Sequence, residues 1–492
     1  MKHLFGFVGI FFTLLLSLTQ CVRTGQKYPG ESDPLIQKIA DYLDQEGENG
    51  FSGTVLVKIP GQPLFTASYG FSNQEKGIKN SAETVFDIGS LTKQFTAAAI
   101  LKLEMDGKLS VHDKISRYIP DIQSDKSNIT IHHLLTHTSG LPYQIGTDHE
   151  VISRSELINR ISESTLANQP GESHQFSNAG YNLLGVIIEE ASGMSYEKYL
   201  EKNLLKPAGL RLTGYRIPDW SQANMANGYR HCRNWGKPIE SGWIEEGPSW
   251  NQMASVGILS TALDLYAWHE ALTKDDLLPP EVKDRLYYPY FTDPADPNHS
   301  TAYGWMVIKS ARNTKVIAHY GWDGKFYTDF LRYVDDKVTI ILLSNRFRMG
   351  NPSMSYEIAN CIFRENFRPQ VQGKKTDCHD SLPKNRLGQL AGKFLGYLES
   401  GTSEDWAKFI DQDCAKHLVN KYSQEHILEI VTNLQNKSGA VTIRQVRVTD
   451  NRVMDIELIS SKKNCDYLIR LFFDEEDDYR IRGISFDFPE NN

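Results

Sequence analysis

In FSGTVLVKIPGQPLFTASYGF, residues 51–71, apolar and polar positions alternate around a Pro-Gly turn, a spacing that predicts a hairpin at one edge of a sheet. The period changes in SLTKQFTAAAILKLEMDGKL, 90–109. This stretch is Ala-rich, apolar at Phe95, Ala98, Ala99 and Met105, and closed by Gly107, so it predicts a helix. GESHQFSNAGYNLLG, 171–185, predicts a turn running into an amphipathic helix, with Phe176, Ser177 and Asn178 at the junction. Later, STAYGWMVIKS, TKVIAHYGW and KVTIILLSN are strand-like runs separated by turn residues. Early strands, a helical middle and late strands predict an α+β domain whose sheet is completed by both ends of the segment.

The patterning runs from about Pro34 to Phe367 and lapses in RPQVQGKKTDCHDSLPKN, 368–385, which reads as a linker. Beyond it, SEDWAKFIDQDCAKHL predicts a helix, and two alternating runs, 439–460 and 465–488, predict hairpins. Residues 386–492 are therefore expected to form a second, smaller α+β domain after a 34–367 domain. A chain of 492 residues is too long for one ordinary core, which agrees with that division.

The N-terminus follows a different rule. Lys2 and His3 precede an apolar run, Leu4 to Leu18, which is the layout of a secretory signal and is short for a membrane span. Residues 1–20 are expected to be a cleaved signal peptide and the protein to be exported, to the periplasm or cell envelope. Cys21 stands where the acylated cysteine of a bacterial lipoprotein would stand, although Gln20 departs from the small residue usual before it. Cys21 is thus the one expected route to a membrane. Composition narrows the function further. An apolar fraction of 40%, a charged fraction of 23% and a formal net charge of -8 describe an ordered chain with no basic stripe for nucleic acid. The six cysteines, Cys21, Cys232, Cys361, Cys378, Cys414 and Cys465, form no CxxC, and whether Cys414 and Cys465 pair stays open.

Candidate chemistry starts with Ser-x-x-Lys, which occurs four times, at Ser90, Ser195, Ser381 and Ser460. Only Ser90 follows a glycine and opens a long apolar helix. Three residues of helix put Ser90 and Lys93 on one face, where a desolvated lysine can deprotonate the serine and the helix N-terminus can meet an oxyanion. HHLLTH sets His133 and His137 four apart, the spacing of two helical zinc ligands. Leu134 stands where a zinc protease carries its glutamate, and no third ligand can be named, so no metal or other cofactor is expected.

Blocks around these residues, TVFDIGSLTKQFTAAAILKLEMDGKL, ITIHHLLTHTSGLP, FSNAGYNLLGVIIEEASG, SVGILSTALDLYAWHEAL and AHYGWDGKF, closely resemble the serine β-lactamase-related family, in order from about residue 45 to 365. That family includes class C β-lactamases, D-alanyl-D-alanine carboxypeptidases, D-aminopeptidases and esterases. The resemblance implies a β-lactamase or penicillin-binding transpeptidase-like fold, an antiparallel sheet flanked by helices with a helical subdomain. It also implies hydrolysis of an amide or ester (a D-amino-acid peptide, a β-lactam or a simple ester) through an acyl-enzyme. Ser90 resembles the acylated nucleophile and Lys93 its base. Asn178 resembles the asparagine of the family's Tyr-x-Asn motif, which would hold both Lys93 and a substrate amide. His319, Tyr320 and Gly321 resemble the strand lining the opposite wall, and the N–H groups of Ser90 and Trp322 would form the oxyanion hole. Tyr229 and Gly257 are expected beside the cleft. Residues 386–492 resemble an accessory module carried by many such hydrolases.

Phe176 breaks the pattern. It stands where the family has the tyrosine that relays protons between serine and lysine and later protonates the leaving group. Either Lys93, a water or a nearby phenol such as Tyr143, Tyr181 or Tyr320 takes over, or the chain is a weakly active or inactive substrate-binding protein on the enzyme's fold.

Overall fold

The computed structural model describes residues 33–147, 150–230, 233–240, 242–245, 247–348, 351–371, 376–379, 381–438, 440–449, 452–460, 466–475 and 477–487. The expected signal segment and Cys21, Cys232 and Cys465 lie outside these residues.

The larger unit is built on an eight-stranded antiparallel sheet. Its spatial order is Phe291–Asp293, Asp296–Thr301, Met306–Lys309, Lys315–Trp322, Tyr327–Tyr333, Val338–Ser344, Gly53–Lys58 and Phe65–Tyr69. The first hairpin sits at the sheet edge, and its inner strand pairs with the last strand, Gly53 opposite Ser344 and Lys58 opposite Thr339. Both ends of the segment thus close one sheet, as the order of patterns predicts. The central strands Tyr327–Tyr333 and Val338–Ser344 are buried at every position. Helices cover both faces, Pro34–Glu48 and Asn351–Phe363 on one side, Thr92–Met105 and Ala262–Thr273 on the other. That double cover explains why TIILL reads as a continuous apolar run and not as an alternation.

The helix Thr92–Met105 lies in the middle of the larger core, packed on Asn178–Ser192, Tyr196–Leu200 and Pro280–Leu286. Eleven of its residues are buried, including Lys93, Gln94 and Thr96 on what would be a polar face. The small residues Ala97, Ala98 and Ala99 allow this close approach from all sides. Met105, expected inside, is 41% exposed because the helix leaves the core at its last turn.

A separate five-stranded sheet, Thr376–His379, Val441–Thr449, Val453–Ser460, Asp466–Asp474 and Arg480–Asp487, forms the smaller C-terminal unit. It packs with Arg386–Ser400, Ser403–Asp413 and Gln424–Ser438 around its own core, which includes Phe394, Trp406, Phe409, Met454 and Phe473. Cys361 and Cys414 are buried free thiols. Among the described residues, no helix is long and apolar enough to cross a membrane.

Candidate active site

Ser90 lies in a short 3-10 turn, Gly89–Leu91, and the α-helix starts two residues later, at Thr92. The sequence pattern places that start at Ser90 itself. Gly89 accounts for the difference. Its φ of +54° belongs to the left-handed region, and its N–H donates to Asp87 Oδ1 at 2.7 Å, so a separate turn raises Ser90 out of the helix. The turn is pressed against the Lys315–Trp322 strand, glycine to glycine. A Cβ on Gly321 would stand 2.9 Å from Ser90 N and 2.6 Å from Thr328 Oγ1, and would strike Ile88 O. Thr328 also donates its hydroxyl to Ile88 O at 2.9 Å. The backbone nitrogens of Ser90 and Trp322 both lie at this glycine contact, close to the helix N-terminus.

Lys93, one turn on, is wholly buried. Its Nζ lies 3.0 Å from Ser90 Oγ, 2.8 Å from Asn178 Oδ1 and 2.8 Å from Ser255 O. The last two partners can only accept. A neutral amine has two hydrogens for them and one lone pair left for the serine hydroxyl. Burial pushes the Lys93 pKa well below that of an ordinary lysine, which favours the same neutral form.

Asn178 is the first residue of the Asn178–Ser192 helix, whose N-cap Ser177 accepts from Gly180 N at 2.9 Å. Its own N–H donates to Tyr143 O at 2.6 Å, which ties the helix start to the loop after His137.

Phe176 fills the space against this pair as the sequence leads one to expect. Its ring centroid is 4.8 Å from Lys93 Nζ. The ring also stacks on His137, at 4.4 Å and 25°. His137 takes a left-handed φ of +57° and accepts the Ser177 N–H at Nδ1, 3.0 Å, so its proton is on Nε2. His133 instead accepts the Thr130 N–H at Nδ1, at 3.2 Å, because the Ile131–Leu135 helix ends between the two histidines. Among the described residues, no group of three or more His, Cys, Asp or Glu is arranged to hold a metal ion.

A model of the Beta-lactamase family matches residues 35–360, about two thirds of the chain. The chain belongs to the Beta-lactamase family. It is a serine hydrolase of that family, similar to penicillin-binding protein 4* of Bacillus subtilis, to which it is 30% identical over 330 residues, 63% of this chain and 71% of that protein. Its fold is similar to a penicillin-binding protein from Bacillus halodurans (TM-score 0.55, 26% identity, 67% of this chain and 98% of that one). The same fold is found in a D-amino acid amidase from Ochrobactrum anthropi (TM-score 0.55, 19% identity, 67% and 98%).

In this Beta-lactamase family member the cleft has two arms that meet at Ser90. The wider, about 820 Å³, runs past His137, Phe176, His319, Phe291 and Trp305. His319 donates from Nδ1 to Tyr320 O at 2.8 Å, leaving Nε2 as an acceptor, and burial and Lys93 lower its pKa to about 3. The narrower arm, about 140 Å³, is lined by Asp87, Gln144, Asn178, Asn251, Trp243 and Asp323 among others.

Of the phenols considered as substitutes for the missing one, Tyr181 gives its hydroxyl to Leu135 O at 2.9 Å and is unavailable. Tyr143 and Tyr320 reach the cleft, each 54% exposed. Tyr229 and Gly257 are corrections. Tyr229 is buried away from both arms, its hydroxyl on Glu75 and Gln74 N, and Gly257 packs on Pro248. The chain neighbours Arg230 and Val256 face the cleft instead. Sequence reasoning missed the Ser255 carbonyl, Asp87 and Thr328, and read His137 only as a possible zinc ligand. The Ser255 carbonyl is a backbone group, Asp87 and Thr328 hold the nucleophile turn through backbone atoms, and His137 acts by stacking on Phe176, so no motif spacing announces these roles.

Proposed function

We propose that this family member is an exported serine hydrolase that opens an amide or ester through an acyl-enzyme at Ser90. Neutral Lys93 takes the Ser90 proton, Oγ attacks the carbonyl, and the N–H groups of Ser90 and Trp322 receive the oxyanion. Asn178 holds Lys93 through Oδ1 and leaves its amide nitrogen for the substrate. Lys93 returns its proton to the leaving group directly or through a water, since Phe176 offers none, and a water then cleaves the acyl-serine. The observation that carries this reading is the set of partners around Lys93 Nζ, two acceptors and one hydroxyl in a fully buried site.

A D-amino-acid peptide, a β-lactam and a simple ester are the proposed substrates. The name of the Bacillus subtilis relative makes a penicillin the first acylating probe. We place the hydrolase domain at 34–367 and the accessory domain at 386–492, with a linker at 368–385 in which Thr376–His379 already pairs with the accessory sheet. The signal is removed near residue 20, with Cys21 the position to test for lipid. Turnover of 4-nitrophenyl acetate, a penicillin and a D-Ala-D-Ala peptide by wild type and Lys93→Ala is the test. Loss in the variant supports the dyad. Equal rates mean another group activates Ser90. No turnover by wild type favours the second reading, for which Phe176 is the specific observation: a substrate-binding protein on this fold.

A further inference from the structure

The narrow arm of the cleft is rich in acceptors. Asp87 enters it three residues before Ser90, and Asp323 directly follows Trp322, so each of the two segments that supply the proposed oxyanion hole also carries a carboxyl group into this arm. One oxygen of each is committed to its own turn. Asp87 Oδ1 accepts Gly89 N–H at 2.7 Å, and Asp323 Oδ1 accepts the N–H groups of Lys325 and Phe326 at 2.9 and 2.6 Å. Among the described residues, Asp323 Oδ2 meets Lys325 Nζ alone, at 3.4 Å. A third acceptor is left over entirely. Asn251 is 6% exposed, and its Nδ2 donates to Thr147 O at 2.6 Å, which fixes the amide, while its Oδ1 has no hydrogen-bond partner among the described residues.

An oxyanion forming near two carboxylates is repelled by both unless something positive lies between them. Burial first, and the facing Asp323 second, raise the Asp87 pKa to about 7, so near neutral pH the free site keeps a proton on this pair, and an ammonium would take that proton's place. The other cations bordering the arm are Arg230 and Lys237, and both are carried by the separate 228–240 segment rather than by the turns that hold Asp87 and Asp323. Trp235, Trp243 and Trp322 complete the lining, and aromatic rings also favour a cation. A space of about 140 Å³ admits only a small group.

We propose that Asp87, Asp323 and Asn251 receive the free ammonium of a small aminoacyl substrate, so that this hydrolase selects unblocked amino-acid esters and amides over their N-acylated forms. The assignment rests on the acyl-enzyme reading of Ser90 and adds the substrate class. An ammonium on the carbon next to the scissile carbonyl lies beside both turns when the carbonyl oxygen is at the N–H groups of Ser90 and Trp322. It then cancels the repulsion as the oxyanion forms, which makes it a determinant of rate as well as of binding.

The test compares kcat/KM for D- and L-alanine benzyl esters with their N-acetyl counterparts at pH 6.5, below the usual α-amino pKa of about 7.7. Esters are chosen because their leaving groups need little protonation. Wild type is expected to favour the free amine of at least one enantiomer tenfold or more. Asp87→Asn and Asp323→Asn keep the acceptor for their turn N–H groups and should each lower that ratio by roughly tenfold. A purely structural role would lower both rates together and leave the ratio alone. If a variant does not fold, the wild-type ratio still decides. A wild-type ratio of one or less, or a ratio unmoved in folded variants, overturns the ammonium site. Hydrolysis of 4-nitrophenyl acetate without hydrolysis of any alanine ester overturns it too, and leaves the acyl-enzyme reading standing. Inertness toward every ester, with Ser90 unlabelled by a fluorophosphonate, overturns both.

Discussion

Phe176 sets its ring centroid 4.8 Å from Lys93 Nζ, where the family's phenol would stand, and offers it a π face but no proton. Two consequences follow for the chemistry. The ring helps to exclude water from Lys93, which keeps the amine neutral, and the leaving group must find its proton elsewhere. Phe176→Tyr restores the oxygen at nearly constant shape. It should raise amide or β-lactam turnover, by up to roughly a hundredfold for a positioned acid-base group, and should alter ester turnover much less. Parallel kcat/KM measurements on one amide and one ester check this. Equal or lower rates on both would mean that His137, stacked on the same ring, or another group has already provided a different proton route.

The pH profile should report Lys93. Its folded pKa is depressed by burial, so the active neutral form gains population as pH rises through that lowered value and is complete well before an ordinary lysine would titrate. The rate of Ser90 acylation by 4-nitrophenyl acetate is expected to climb on the acid side and then level off. Lys93→Met should remove the climb together with roughly 10²–10⁴-fold of the rate. The same depressed pKa makes Lys93 a burden on the fold below its unfolded pKa, so the Met variant is expected to melt no lower than wild type.

Much of this site was legible in the sequence because it is written in local spacing. Ser90 and Lys93 are three apart, a spacing that keeps them in contact although Ser90 lies in the 3-10 turn before the helix, Ser177 and Asn178 mark a helix start, and His319 and Gly321 lie two apart on one strand and so face the same side. The Ser255 carbonyl that takes a Lys93 hydrogen is 162 residues away and uses no side chain, so no motif could announce it. Tyr229 and Gly257 came from the right segments, but their chain neighbours Arg230 and Val256 are the residues that line the cleft. For the fold, the hairpin and late strands were readable from alternation and length. The helix Thr92–Met105 was readable as a helix, but its burial on all sides, and hence the state of Lys93, depends on helices that pack against it from elsewhere in the chain.

Gly321→Ala should be far more damaging than its size suggests. The added methyl would meet Ile88 O, Thr328 Oγ1 and Ser90 N, two of them backbone atoms of the nucleophile turn. Overpacking of this kind costs about 1–3 kcal/mol, and here the displaced atoms belong to the proposed oxyanion hole. Fluorophosphonate labelling of Ser90 is expected to slow by at least about a hundredfold, with only a modest fall in melting temperature. Labelling at the wild-type rate would show that the strand and the turn have room to separate.

Asp329 tests the electrostatics of the sheet away from the cleft. It is 4% exposed, its Oδ2 has no hydrogen-bond partner among the described residues, and burial raises its pKa to about 7. Because the folded state holds this proton longer than the unfolded chain does, stability should fall as pH rises from about 4 to about 7 and stay level above. At about 1.4 kcal/mol per pKa unit the loss is up to roughly 4 kcal/mol. Asp329→Asn should therefore raise the melting temperature at pH 8 and change it little at pH 4. An equal effect at both pH values would mean that Asp329 is paired in solution.

The central claim is that Ser90 is the acylated nucleophile, and intact-mass analysis after exposure to a fluorophosphonate tests it most directly. Wild type is expected to gain the mass of one adduct, and Ser90→Ala none. An adduct of the same mass on folded Ser90→Ala, or an unlabelled wild type, would contradict it.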